Sequence, residues 1–334
     1  MRAKSMHEAI TLVSTGTQEV ELGTVSGTPE QFDTLCTCIA DSNRLQTLSL
    51  INIGITSSDA DALANAVEKS TSLRRLDLRS NTLRTEGCKK LAAAIAKSTR
   101  IQELLLSSNN INDEGVNDLV PIIPQLHTME LRNNNITSKG IKSLINAIGP
   151  KLKVVDLANN KIDNEAAESL AKALGKFDSL EKLDLSDNPK IRDEGVLAFL
   201  EILRKSKSMR VLHLQGITLS PETSEKIIDA LLDNPRAIKV EVSGNEELKQ
   251  KLEEVYAYKS AIEQGQAATL ALQGSMPQDP RNRATNPVGI RVAKDGDHAI
   301  MSRVAALLAP QGPEVPDWIA EKMRAKGARK RHTP

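Results

Sequence analysis

One phrase is written five times in this chain, and the repetition limits its fold more than any other feature. It reads LRRLDLRSNTL from Leu73, IQELLLSSNNI from Ile101, LHTMELRNNNI from Leu126, LKVVDLANNKI from Leu152 and LEKLDLSDNPKI from Leu180, with starts 28, 25, 26 and 28 residues apart. Positions 1, 4 and 6 of each copy are apolar; in the second they are Ile101, Leu104 and Leu106. Alternation at 4 and 6 is strand periodicity, so Leu104 and Leu106 share one face and the residue between them takes the other. Position 9 is asparagine in all five copies: Asn81, Asn109, Asn134, Asn160 and Asn188. The chain turns there, and its backbone groups have no helix or sheet to satisfy them. A short amide bonds to such groups, so a column of amides predicts a ladder between repeats. An apolar residue at position 11 closes the core at Leu83, Ile111, Ile136 and Ile162; after Asn188 an extra residue passes this role to Ile191.

The second half of each repeat has helical spacing. Leu91, Ala94 and Ile95 lie at i, i+3 and i+4, and Leu144, Ala147 and Ile148 repeat the stripe. The copy from Ile101 departs, because Pro121 and Pro124 fall in its helical half. Proline removes a donor and clashes with the preceding turn, so a shortened or irregular helix is expected there. A period of about 20–29 residues with this pattern resembles the leucine-rich-repeat proteins. The pairing of a short strand with a full helix resembles their ribonuclease-inhibitor-like class. The resemblance implies an α/β solenoid, or horseshoe, with a concave parallel sheet, convex helices and a helical C-terminal extension.

Taken in order, residues 1–16 read as a ragged N-terminal lead, and 17–44 as a degenerate capping repeat with Val20 and Leu22 at strand positions. The solenoid runs over 45–246. Ile53 and Ile217 replace asparagine in two of its copies, and Asn245 restores the turn residue. Starts at 17, 45, 73, 101, 126, 152, 180, 209 and 237 predict nine strands. Residues 247–273 read as a helical cap with Leu248, Leu252, Val255 and Tyr256 on one face. Residues 274–296 read as a linker rich in Pro, Asn and Arg. Residues 297–334 read as short helices and a basic tail, one helix placing Ile300, Met301, Val304, Leu307 and Leu308 together and a second starting near Trp318.

A net charge of +1 gives no global field for nucleic acid or an anionic membrane, and 2% aromatics leave few platforms for stacked bases. Cys36, Cys38 and Cys88 form no disulfide framework, which suits a reducing, cytoplasmic setting. Neither a signal peptide nor a membrane span is expected. No phosphate loop, zinc-binding His-Glu helix or nucleophile elbow occurs, so neither catalysis nor a cofactor is expected. The C-x-C pair of Cys36 and Cys38 and the scattered histidines point to no metal site. The Asp- and Asn-rich segments after each turn lack the closing glutamate of a calcium loop, and fit helix caps instead. Asn135 satisfies a glycosylation pattern, discounted without a signal peptide.

The concave column is the candidate site. Position 5 reads Ser49, Asp77, Leu105, Glu130, Asp156, Asp184, His213, Glu241, with Arg79 and Arg132 at position 7 and Arg74, Lys153 and Arg210 at position 2. Neighbouring strands stand about 4.8 Å apart, so the carboxylates crowd and call for cations. Either a partner supplies them, or the flanking arginines and lysines already do. The first reading is a non-catalytic module that binds another protein, one with a basic surface, through Asp77, Arg79, Glu130, Arg132, Asp156, Asp184, His213 and Glu241. The resemblance implies the same use, and a monomeric chain. Alternatives are a regulator of a small GTPase, since Ran GTPase activators are similar horseshoes, a cytoskeletal capping protein like the tropomodulins, or a bacterial effector secreted into a host cytosol. The long acidic tail of those activators is not found here.

Overall fold

The computed structural model describes residues 1–98, 100–274 and 315–330. The expected linker beyond residue 274, the expected helix around Ile300 to Leu308 and the last four residues lie outside that range. Ten parallel strands form one sheet in chain order. They are β1 Arg2–Ala3, β2 Glu19–Gly23, β3 Thr47–Ile51, β4 Arg75–Asp77, β5 Glu103–Leu105, β6 Thr128–Glu130, β7 Val154–Asp156, β8 Lys182–Asp184, β9 Val211–Leu214 and β10 Lys239–Val242. The helices between them are α1 Met6–Ser14, α2 Pro29–Asp41, α3 Ala60–Lys69, α4 Arg84–Ser98, α5 Asp113–Leu119, α6 Ser138–Leu144, α7 Asn164–Leu174, α8 Asp193–Leu197, α9 Leu200–Lys205 and α10 Pro221–Asp233. Two more follow, α11 Glu246–Gly274 and α12 Asp317–Lys330. Each strand pairs only with the strands of adjacent repeats, the nearest-neighbour arrangement of a solenoid.

The core runs between sheet and helices. Positions 4 and 6 supply Leu76, Leu78, Leu104, Leu106, Met129, Leu131, Val155, Leu157, Leu183 and Leu185, all essentially without exposure. Helix residues such as Leu91, Ile95, Leu144, Leu170 and Leu203 meet them.

The turn residues form the expected ladder. The Oδ1 of Asn134 accepts from the N–H groups of Asn109 and Ile111, both at 3.0 Å, and its Nδ2 donates to Leu106 O at 2.8 Å. Asn160 repeats this one step on, accepting from Asn134 and Ile136 and donating to the carbonyls of Leu131 and Leu157. Asn81 accepts from Ile53 and Ile55, so it serves a repeat that has no asparagine of its own. Asn245 stands apart from the ladder. It is exposed, and its side chain accepts from Leu248 N at 2.9 Å to start α11.

One rule of the turn went unread in the sequence. Position 8 has positive φ in all nine repeats: Thr24, Asn52, Ser80, Ser108, Asn133, Asn159, Asp187, Gly216 and Gly244. Side chains there are small or absent, or carry a short polar group that tolerates the left-handed region.

The N-terminus differs from expectation. Residues 1–16 are a strand and a helix, not a ragged lead: β1 pairs with β2, and Met6, Ala9 and Val13 are buried. The helical spacing of those three was too short to stand out, and Ser5 caps the helix through Glu8 N. Prolines shorten α5 as expected, and a 3-10 turn follows over Val120–Gln125. The helix expected after Gly195 breaks into α8 and α9, where Phe199 N bonds back to Val196 O and the ring is buried.

The Asp and Asn residues after each turn are caps and inter-repeat ties. Asp113 accepts from Thr137 N at 2.7 Å, Asn164 from Arg192 N at 2.7 Å and Asp193 from Ser220 N at 2.9 Å. The approach is tight: a Cβ on Gly140 would stand 2.6 Å from the Asp113 carboxylate.

Replacing Asn134 with alanine leaves two N–H donors of the preceding repeat, those of Asn109 and Ile111, buried without the acceptor they use. Each orphan costs about 1–3 kcal/mol, so a loss of about 2 kcal/mol or more is expected. Chemical denaturation of the variant against Asn134→Ala's exposed counterpart, Asn245→Ala, measures it; equal midpoints would remove the ladder from the account.

Candidate functional site

The strand registers stack position 5 in one column. Glu21 faces Ser49, then Asp77, Leu105, Glu130, Asp156, Asp184, His213 and Glu241 follow in successive strands. The side chain at position 5 points away from the core that positions 4 and 6 fill, so the column lines the concave face.

Cations reach the column unevenly. Arg79 grips Asp77 with two bonds, Nε to Oδ1 at 2.9 Å and a terminal nitrogen to Oδ2 at 2.7 Å. Its other terminal nitrogen comes within 3.9 Å of Glu130, two strands away. The guanidinium thus spans β5, and Leu105 beneath it is wholly buried although it belongs to the concave column. Arg132 makes the same two-strand reach from its own repeat to Asp184 at 3.6 Å and Asp187 at 3.5 Å. At the far end, Glu241 takes Lys239 at 2.6 Å and His213 at 2.8 Å, and these bonds hold its carboxyl below the usual range.

Glu130 and Asp156 are left over, side by side on β6 and β7. Among the described residues no cationic side chain hydrogen-bonds to either. Asp156 accepts only from Ala158 N, at 3.0 Å. Burial lifts the Glu130 carboxyl above the usual range; Arg79 opposes this, and Asp156 and Asp77 add to it. Burial likewise lifts Asp156, with help from Asp184 and against the Ala158 bond and the charges of Arg132 and Lys182.

The column is thus unevenly paired: its flanks hold their cations by direct bonds, whereas at its centre Arg79 stands 3.9 Å from Glu130 and Asp156 accepts from Ala158 N. The position 2 residues take no part. Lys153 pairs with Glu181 at 2.9 Å and Arg210 with Glu263 at 3.5 Å, on the strand-entry side. Position 3 was overlooked, although alternation sets it on the same face as position 5. It lays Thr128, Val154, Lys182 and Val211, all half-buried, beside the central pair. Cys36 and Cys88 are buried and their thiols pushed up to about 12, chiefly by burial, which makes them poor nucleophiles at neutral pH. Among the described residues no group of three His, Cys, Asp or Glu is placed to hold a metal ion. No helix among them is long and apolar enough to cross a membrane.

A family model for leucine-rich repeats matches residues 69–92, 97–120, 150–171 and 179–200. The chain contains leucine-rich repeats. The matches cover the repeats whose strands carry Asp77, Leu105, Asp156 and Asp184. No curated protein matches the sequence. Among solved structures, this leucine-rich-repeat chain is similar to one titled as the complex of Rad7 and Elc1 in yeast, at 15% identity and a TM-score of 0.50, over 72% of this chain and 67% of that one. The tropomodulin C-terminal domain of Caenorhabditis elegans aligns at 19% identity and a TM-score of 0.35, over 51% of this chain and 92% of that domain. Actin-binding site 2 of leiomodin-1 aligns at 16% and 0.34, over 41% of this chain and 79% of that one. Likeness at these identities is a likeness of fold.

The central pair should cost stability when charged. A carboxyl with a raised folded pKa binds more protons folded than unfolded, so its contribution to stability falls as pH rises from the ordinary range through the folded value. Glu130→Gln and Asp156→Asn should each melt higher than the parent at pH 7, by about 0.5 kcal/mol or more, the lower range for single stabilising changes. The gain should shrink toward zero below the ordinary carboxylate range. Calorimetry at both pH values checks it; variants less stable at pH 7 would mean that unseen partners already satisfy both groups.

Proposed function

We propose that this leucine-rich-repeat protein is a non-catalytic binding module whose concave face takes a basic segment of another protein, with Glu130 and Asp156 as the contact centre. The observation that carries the reading is the pair of adjacent, half-buried carboxylates to which, among the described residues, no cationic side chain hydrogen-bonds, Arg79 standing 3.9 Å from Glu130. Asp77, Asp184 and Glu241 hold Arg79, Arg132, His213 and Lys239 in place around them, a rim that is charged and rigid. Two carboxylates on neighbouring strands suit a guanidinium, whose planar fork of donors can serve both.

The partner surface is polar. Among the described residues only Met1 and Val315 are large, apolar and exposed, so no apolar patch competes with the charged column. Three free thiols suit a reducing compartment, and a monomer suits the absence of such a patch.

A short oligoarginine peptide serves as probe. Its affinity for the full chain at low salt should fall at least tenfold, about 1.4 kcal/mol, in the Glu130→Gln/Asp156→Asn double variant. Glu86→Gln on the convex side should leave it unchanged. Equal loss in both variants, or in neither, would remove the concave pair as the contact centre.

A further inference from the structure

A second interaction surface lies on the convex side of the last repeat. Glu225, Asp229 and Asp233 stand at i, i+4 and i+8 on α10, one acidic row along one helix face. Acids on other convex helices meet a cation from an adjacent repeat: Asp61 meets Lys90, Glu68 meets Lys97, and Glu165 meets Lys142. The α10 row meets α12, which returns to it from nearly a hundred residues along the chain. Lys322 bonds to Glu225 and stands 3.4 Å from Asp229; Lys326 stands 3.2 Å from Asp229 and 2.8 Å from Asp233, and donates to Asp229 O at 2.9 Å. On α11, Glu254 accepts from the Trp318 indole at 2.5 Å. Arg204 and Lys251 reach the ends of the row from its rim, at 3.9 and 3.7 Å.

The apolar hold is slight by comparison. Among the described side chains of α12, Ile319 is fully buried and Trp318 and Met323 are partly buried against the core, whereas α11 sinks Leu248, Leu252 and Val255 into the same end of it. A helix of this length is marginal alone, and ion pairs near a surface are weakened by salt. Its contact therefore combines a small apolar anchor with charge, and the charge is complementary to a stripe that like-charge repulsion leaves costly when bare.

We infer that α10 and α11 form a docking groove for a basic helix, and that α12 is its exchangeable occupant. The groove selects an aliphatic anchor followed three and seven residues later by cations, the spacing of Ile319, Lys322 and Lys326. A free helix of the α12 sequence enters the same groove. This site is separate from the concave column and stands or falls independently of it.

The test uses the full chain cut at a protease site placed between residues 290 and 296, with retention of the C-terminal fragment followed by size exclusion and native mass spectrometry. The fragment should stay bound at about 50 mM salt and be at least tenfold less retained at about 500 mM, where screening is nearly complete. A labelled peptide of residues 315–330 should exchange into the cut complex. Lys322→Glu/Lys326→Glu should release the fragment at the lower salt, and adding Asp229→Lys/Asp233→Lys to that variant should restore it, which a folding defect could not do. Retention indifferent to salt or charge reversal, a fragment that never stays bound, or failed rescue would each overturn the inference.

Discussion

Everything on the concave face depends on the asparagine ladder at the turns. Each amide accepts from one or two N–H groups of the preceding repeat and donates to a carbonyl there, so one side chain ties two repeats at a fixed offset. Strands of three residues carry too few ladder bonds of their own to hold a register. A slip of one residue would send position 5 into the core and position 4 to the outside. With the offset fixed, a repeat in sequence becomes a straight column in space, and chemistry at position 5 becomes a surface.

That surface places like charges where the backbone dictates, not where they are most comfortable. The chain answers with two arginines that each reach across two strands, Arg79 toward Glu130 and Arg132 toward Asp184. Between their reaches Glu130 and Asp156 keep their burial without a bonded cation. A fold under selection for stability alone would have little reason to keep such a pair, and sites that cost stability are common where binding occurs. The same logic marks the convex end, where α10 carries a row of acids that a returning helix pairs along its length.

Much of this was legible in the residues. The phrase and its period gave the sheet, the helices, the ladder and the column, because each follows from side-chain alternation. The prolines at 121 and 124 announced a broken helix, and the Asp and Asn residues after each turn announced caps. The pairing within the column was not legible. Asp77 with Arg79 and Glu130 with Arg132 have the same i, i+2 spacing, yet Arg79 binds its own repeat's acid and Arg132 bypasses Glu130 for Asp184 and Asp187. The choice turns on which carboxylates compete for one guanidinium across three strands, and no local pattern encodes that. The N-terminal strand and helix were missed because a two-residue strand and one helical stripe carry little periodicity, and the docking of α12 because its partner residues lie far away in sequence.

The claim at the centre is that Glu130 and Asp156 are half-buried, adjacent and without a bonded cation in the free chain. Carboxyl-carbon NMR, followed across an acid titration of the intact protein and assigned through the Glu130→Gln and Asp156→Asn variants, measures that state directly. The account expects both groups to titrate above the usual carboxylate range, each perturbed by loss of the other. Midpoints at or below that range would show two carboxylates already satisfied, and would contradict it.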